Sequence, residues 1–327
     1  ISSSVSKEKL YASPQYSGEE LIEHIPQVKE LADLQVENFS KVLSSQLTIE
    51  QLYDLGCRIR KILREDPGLT GIVVTHGTGT MEESVFMADL MVHDKRPVVF
   101  TGAMRNLSEP YTDAFFNLDN AIRTAISPQS VGKGVMVVMN GVIHPARGVT
   151  KLHTTAVDTF HSGEYGPLGY VYPDRVHFVR EPLLRFHIFT EKPEFNIDLI
   201  KFVVGMDDRF IKASMHAGAK GIVIEGSGLG NVNASLVDGI THAINNGLTV
   251  VVCSRCHHGR VYPVYGTKAG AASLVERGCI LGSLPGTLSR LLLMLALGVY
   301  KKKKWLQKCF DPTSNELEEE IKNGDVC

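Results

Sequence analysis

Thr75-His76-Gly77-Thr78-Gly79-Thr80 sets hydroxyls, glycines and an imidazole in one short run between an apolar segment and a helical stretch. Such glycines let a backbone bend tightly and approach a ligand. Threonine hydroxyls and the first free N–H groups of the helix then converge to hold an anion or an oxyanion. The same residues also read as a plain turn, with Thr80 as helix cap and Glu83 three positions on completing a capping box. A second cluster, Gly148-Val149-Thr150-Lys151-Leu152-His153-Thr154-Thr155, places one lysine among hydroxyls. A lysine desolvated beside a threonine can act as a base or activate a hydroxyl nucleophile, whereas Lys151 taken alone reads as an ordinary surface lysine. Ser44-Ser45-Gln46, ahead of the first long helical stretch, reads alone as a helix cap.

Two further runs carry less. Gly226-Ser227-Gly228-Leu229-Gly230-Asn231 lies between strand and helix, but its spacing is GxGxG rather than GxGxxG, and no acidic residue closes a following strand. No nucleotide cofactor is expected from it. Cys253-Ser254-Arg255-Cys256-His257 matches a haem-attachment string, and His258 adjoins it, yet no second ligand pair accompanies them. The run reads as the structural end of a buried strand, so no metal is expected.

These clusters need elements to hold them. Short apolar runs bounded by Gly or Asn are expected as strands at Gly71–Thr75, Pro97–Thr101, Val135–Met139, Lys201–Val204, Gly221–Glu225 and Leu248–Cys253. Helical periodicity fills the intervals at Ile49–Arg64, Met81–Val92, Phe116–Ile126, Arg209–Ala217, Ala234–Asn245, Ala271–Arg277 and Pro285–Val299. Strand followed by helix, repeatedly, is the pattern of an α/β fold with a mainly parallel sheet. The proline-bearing segment Glu181–Asn196 interrupts it and marks a boundary. The expected organisation is a larger N-terminal α/β domain over 1–183, a smaller parallel α/β domain over 196–300 and a charged tail over 301–327.

Bulk properties narrow the partners. Across 327 residues, 34 Lys and Arg stand against 36 Asp and Glu, a formal charge of -2. Nothing there favours a phosphate backbone, so nucleic acid is not an expected partner. No run reaches the roughly 18 apolar residues of a membrane span, the nearest being Leu291–Val299. Cys57, Cys253, Cys256, Cys279, Cys309 and Cys327 show no disulfide spacing, and reduced thiols point to the cytoplasm.

The order and spacing of further motifs carry a resemblance. His76-Gly77-Thr78-Gly79-Thr80-Met81-Glu82-Glu83, Pro97-Val98-Val99-Phe100-Thr101-Gly102-Ala103-Met104-Arg105, Val137-Val138-Met139-Asn140, Thr150-Lys151 with Thr154-Thr155 and Phe160, and Tyr165-Gly166-Pro167-Leu168-Gly169 closely resemble the bacterial-type L-asparaginase and glutaminase-asparaginase family. The likeness continues through Gly228-x-Gly230-Asn231, Ser254-Arg255 and Gly259-Arg260-Val261. It implies a two-domain fold, homodimers or homotetramers with sites at the dimer interface, no metal or cofactor, and hydrolysis of the side-chain amide of Asn or Gln through a threonine nucleophile. By position, Thr78 and Lys151 are similar to two members of a Thr-Asp-Lys triad. Ser45 and Gln46 resemble the pair that holds the substrate's α-carboxylate and α-amino group, and the backbone of Ala103 falls near the scissile amide. Tyr11 falls on a mobile lid, and Asn231 where a neighbouring subunit completes the site.

Two departures accompany the likeness. The family's first strand ends in Thr-Gly-Gly-Thr-Ile, whose first threonine is the usual nucleophile. Ile1 takes the place of that isoleucine, so the alignment expects the first strand and that threonine to lie ahead of it. Gly79 stands where the family carries Asp, which binds the substrate ammonium and orients the lysine. The resemblance therefore expects weakened or redirected activity, toward an amide lacking the α-amino group, or a non-catalytic homologue binding a small amino acid.

Overall fold

A computed structural model describes residues 3–5, 12–14, 16–182 and 186–311, in two compact units, Ile1–His187 and Ile188–Cys327. Tyr11, expected on a lid, lies outside the described residues.

The first unit begins with a short antiparallel ribbon, β1 (Ser3–Val5) with β2 (Ala12–Pro14). Helix α1 (Gly18–Glu23) starts at Ser17, whose hydroxyl and the Glu20 carboxylate cap each other's backbone N–H, and α2 (Val28–Leu31) follows. Thr48 and Gln51 make the same reciprocal cap for α3 (Ile49–Glu65). Ser44–Gln46, expected to be a cap, is a separate 3-10 turn ahead of it.

The apolar runs pair as parallel strands. β3 (Ile72–Thr75), β4 (Val98–Thr101) and β5 (Val135–Met139) place Ile72 opposite Val98 and Val98 opposite Val135. Every residue of β4 and β5 is buried, because helices cover both faces, and the strands accordingly read as unbroken apolar runs. Val98, Phe100, Val135, Val137 and Met139 meet Met81, Val85 and Ala88 of α4 (Met81–Met91) and Ile59 of α3. Val99, Met136 and Val138 face the other way, onto Ala121 and Ala125 of α5 (Ala114–Ile126). Residues of one strand thus divide between two cores by alternation.

The sheet is mixed rather than mainly parallel. Asn140 (φ 51) and Gly141 (φ 74) turn the chain back tightly, so β6 (Val142–Pro145) runs antiparallel to β5. After a two-stranded ribbon of β7 (Thr150–Lys151) and β8 (Phe160–His161), the strands β9 (Gly169–Val171) and β10 (Val176–Phe178) extend the sheet antiparallel. The order is β10-β9-β6-β5-β4-β3, and among the described residues β3 bonds to a strand on one side only.

The second unit is a four-stranded parallel sheet, β11 (Ile197–Lys201), β12 (Gly221–Gly226), β13 (Thr249–Ser254) and β14 (Ile280–Leu281), in that order. Helices α6 (Arg209–His216), α7 (Ala234–Asn245) and α8 (Ala271–Glu276) connect the strands, and α9 (Gly286–Val299) follows. β11 begins earlier than the expected Lys201–Val204: Ile197 and Ile200 are buried, whereas Val204 is 91% exposed. The expected charged tail holds a further helix, α10 (Lys303–Phe310), because Trp305, Leu306 and Phe310 share a face and bury it. The Lys304 and Lys308 ammonium groups lie 4.5 and 4.9 Å from the Trp305 ring centroid. No helix among the described residues is long and apolar enough to cross a membrane.

Candidate active site

The glycine-rich turn leaves β3 at its carboxyl end and enters α4 at Met81. Its shape is set from three sides. His76 continues the ladder, its N–H donating to the Thr101 carbonyl at 2.8 Å. Its ring is buried, with Nδ1 2.7 Å from the Gly77 carbonyl and Nε2 2.9 Å from Ser84 Oγ. A carbonyl can only accept, so Nδ1 carries the proton and Nε2 accepts from the serine. Burial lowers the pKa of His76 and keeps the ring neutral, which preserves this tautomer. Gly102 closes the second side: a Cβ there would stand 2.7 Å from the His76 carbonyl and 3.0 Å from Thr78 Cγ2. Only glycine permits that approach, and it brings the loop holding Ala103 against Thr78.

The 3-10 turn Ser44–Gln46 closes the third side. Thr80 Oγ1 donates to the Ser44 carbonyl at 2.9 Å, and a Cβ on Gly77 would meet the Ser44 side chain at 2.9 Å. The expected capping box is therefore absent: Thr80 occupies the cap position, but its hydroxyl serves Ser44 instead of the helix N–H groups. This tie holds Ser44, the first residue of the 3-10 turn, against Gly77 and Gly79, while Ser45 and Gln46 are exposed.

Lys151 comes from β7, far along the chain. Its Nζ donates to Thr78 Oγ1 at 2.9 Å, and its backbone N–H donates to Glu82 Oε2, also at 2.9 Å. Opposite it in the ribbon, Phe160 is buried in the core beneath α4 and holds β7 in place. Partial burial lowers the pKa of Lys151, and the charge of Glu82 opposes that shift. The neutral amine, able to accept a proton, is thereby more accessible than in a solvated lysine. Lys151 and Thr78, with Gly102 and Ser44 packed on the same turn, thus meet at the carboxyl end of β3, where open α/β sheets place ligands.

Several residues shaping this site carry no motif. Asp113 accepts from the N–H groups of Met104 at 3.0 Å and Arg105 at 2.8 Å. Asn117 donates to the Gly102 carbonyl at 3.0 Å and accepts from the Asn140 N–H at 2.8 Å. Together they anchor the loop after β4 to α5. Their signal in the sequence was small: an aspartate at a helix cap and one asparagine among several polar residues of α5.

Asn231 lies in the second unit, where its Oδ1 accepts from the Ala271 N–H at 3.1 Å and its backbone carbonyl accepts from both the N–H and hydroxyl of Ser227, at 2.8 and 3.0 Å. Within this chain it ties the glycine-rich turn after β12 to the start of α8. Cys253 is buried within β13, and burial pushes its thiol up to about 12, while Cys256, His257 and His258 are exposed. Among the described residues no group of three or more His, Cys, Asp and Glu side chains is placed to hold a metal ion.

Fold and site together define a two-domain α/β protein with a lysine–threonine pair at the carboxyl end of a parallel sheet. Residues 1–184 match the family described as Asparaginase, N-terminal, and residues 196–310 match the Glutaminase/Asparaginase C-terminal domain. The chain belongs to the asparaginase family. It is 36% identical over 311 residues to a probable periplasmic L-asparaginase of Haemophilus influenzae, covering 92% of this chain and 86% of that protein. An L-asparaginase of Bacillus licheniformis is 35% identical over 260 residues, 79% of this chain and 80% of its own length. The crystal structure of a probable cytoplasmic L-asparaginase from Campylobacter jejuni superimposes with a TM-score of 0.83 at 33% identity, covering 90% of this chain and 93% of that one.

Proposed function

We propose that this chain is an amidohydrolase that converts the side-chain amide of asparagine, and of glutamine, to the acid and ammonia. The observation that carries the reading is the 2.9 Å contact between Lys151 Nζ and Thr78 Oγ1 in a partly buried setting. Neutral Lys151 takes the proton of Thr78 Oγ1 as that oxygen attacks the amide carbon. The tetrahedral adduct collapses, the departing nitrogen takes the proton, and ammonia leaves. Water then cleaves the threonyl ester to release the acid. Ser45 and Gln46 hold the substrate's α-substituents, and the Ala103 backbone lies beside the scissile amide. Tyr11 belongs to the same reading as the lid residue, and Asn231 as the contribution of a second copy in a homodimer or homotetramer. The cytoplasm is the compartment proposed, in keeping with the free thiols of Cys57, Cys253, Cys256, Cys279 and Cys309 and with the Campylobacter jejuni relative.

Gly79 qualifies the substrate. It brings no carboxylate to an α-ammonium, so an amide lacking that group loses less by comparison. Ammonia release from asparagine, glutamine, succinamate and N-acylated asparagine tests the proposal. Turnover of none of them, with aspartate still binding in calorimetry, would replace the enzyme by a non-catalytic amino-acid-binding homologue. An acid-quenched ester mapped to another residue would reassign the nucleophile and leave Thr78 as a proton relay.

A further inference from the structure

Gly79 leaves Lys151 without the neighbouring carboxylate that a side chain at that position would bring, yet the lysine is not without a negative neighbour. Glu82, in the first turn of α4, accepts the Lys151 backbone N–H at 2.9 Å through Oε2. It lies on the same helix that the catalytic turn enters, so a single side chain joins the two halves of the Thr78–Lys151 pair across 69 residues of sequence.

We infer that Glu82 is the positioning residue of Lys151: its carboxylate, bonded to the Lys151 backbone N–H, pins β7 to α4 so that Nζ reaches Thr78, and it brings a negative charge to the lysine's surroundings. The catalytic consequence rests on the function proposed above, whereas the effect on the lysine does not. Other titratable groups stand on the elements packed around Lys151: Glu83 on α4, His76 on the turn, His153 just beyond β7 and His161 on β8 opposite Thr150. Among these groups it is Glu82 whose carboxylate is bonded to the Lys151 backbone, and its charge opposes the effect of burial on the amine. Glu82 is half-buried, so its field on the amine is screened less than that of a fully solvated carboxylate.

Glu82→Gln separates the two roles, because the amide oxygen still accepts the backbone N–H while the charge is gone. Trace labelling of the full chain with acetic anhydride across pH, read at Lys151 by peptide mass spectrometry, reports the midpoint at which the amine becomes reactive. The expected result is a midpoint about 0.5 to 1 pH unit lower in Glu82→Gln than in the wild type. Glu83→Gln should leave it where it was, and Glu82→Asp, which keeps the charge, should stay within about 0.3. If the wild type turns over any of the amides, the acid limb of its kcat profile should move downward with the same variant. An unchanged midpoint in Glu82→Gln overturns the inference. If ammonia is released from no amide while the midpoint still moves, the proposed function fails and the role of Glu82 stands.

Discussion

Replacing Gly79 with Asp tests substrate recognition most directly. The backbone at Gly79 is not in the left-handed region, so a side chain brings no torsional penalty there. A Cβ would meet one neighbour within 4 Å, Ser44 Oγ at 3.1 Å, and rotating that hydroxyl relieves the contact. The substitution should therefore fold. A charge-assisted hydrogen bond to an α-ammonium is worth about 1.5–3 kcal/mol, and the exposure of Gly79 places the gain at the lower end, near tenfold in kcat/KM. The new carboxylate also favours the ammonium form of Lys151, but that effect is common to every substrate. The informative quantity is the ratio of kcat/KM for asparagine to that for succinamate, in which the common effect cancels. That ratio should rise about tenfold, as measured by coupled ammonia release. A ratio unchanged within about twofold, or a fall, would show that the space beside Gly79 does not receive the α-ammonium.

Lys151→Met keeps the apolar stem but removes the amine, and should lower kcat by about 10²- to 10⁴-fold with an unchanged circular dichroism spectrum. Lys151→Arg should not rescue it, since a guanidinium stays protonated and cannot accept from Thr78; recovered turnover would exclude the base role. Thr80→Val deletes the 2.9 Å bond to the Ser44 carbonyl, so stability should fall by about 1 kcal/mol and KM should rise more than kcat falls. An unchanged KM would show that this bond does not hold Ser45 and Gln46 in place. His144 is buried beside Ser162 Oγ at 2.7 Å, and burial, reinforced by the charge of His161, lowers its pKa to about 4. Because the folded value lies below the ordinary one, the unfolded chain binds the proton first, and stability is lost as pH falls from about 6.5 toward 4. Between pH 7 and 5 this amounts to about 2 kcal/mol, so urea denaturation of His144→Gln should show a correspondingly smaller loss. An equal loss in both proteins would contradict it.

Most elements were legible because a buried parallel strand must be apolar along its length and a covering helix apolar along a face. Val135–Met139 and Ala234–Asn245 coincide with the expected bounds, and most other elements shift by a residue or two at either end. The antiparallel half of the first sheet was harder to read. Its turn signal, Asn140-Gly141, stands in the sequence, but β9 and β10 are each three residues long and too short to show a period. α10 was hidden for a different reason: its lysines dominate the local composition, while its burial depends on three spaced side chains.

By itself the sequence determined the α/β alternation, the family pattern and the chemical vocabulary of the site, because residue type and local spacing suffice for these. It also showed that Gly79 brings no carboxylate. Tertiary structure alone decided which groups meet: Thr78 with Lys151 across 73 positions, Thr80 with Ser44 across 36, and Glu82 with the backbone of Lys151. Those distances follow from strand order and from helices packed on a common core, and no local pattern encodes them. The proton balance of Lys151 belongs to the same level, since desolvation and a facing charge exist only once the chain has folded.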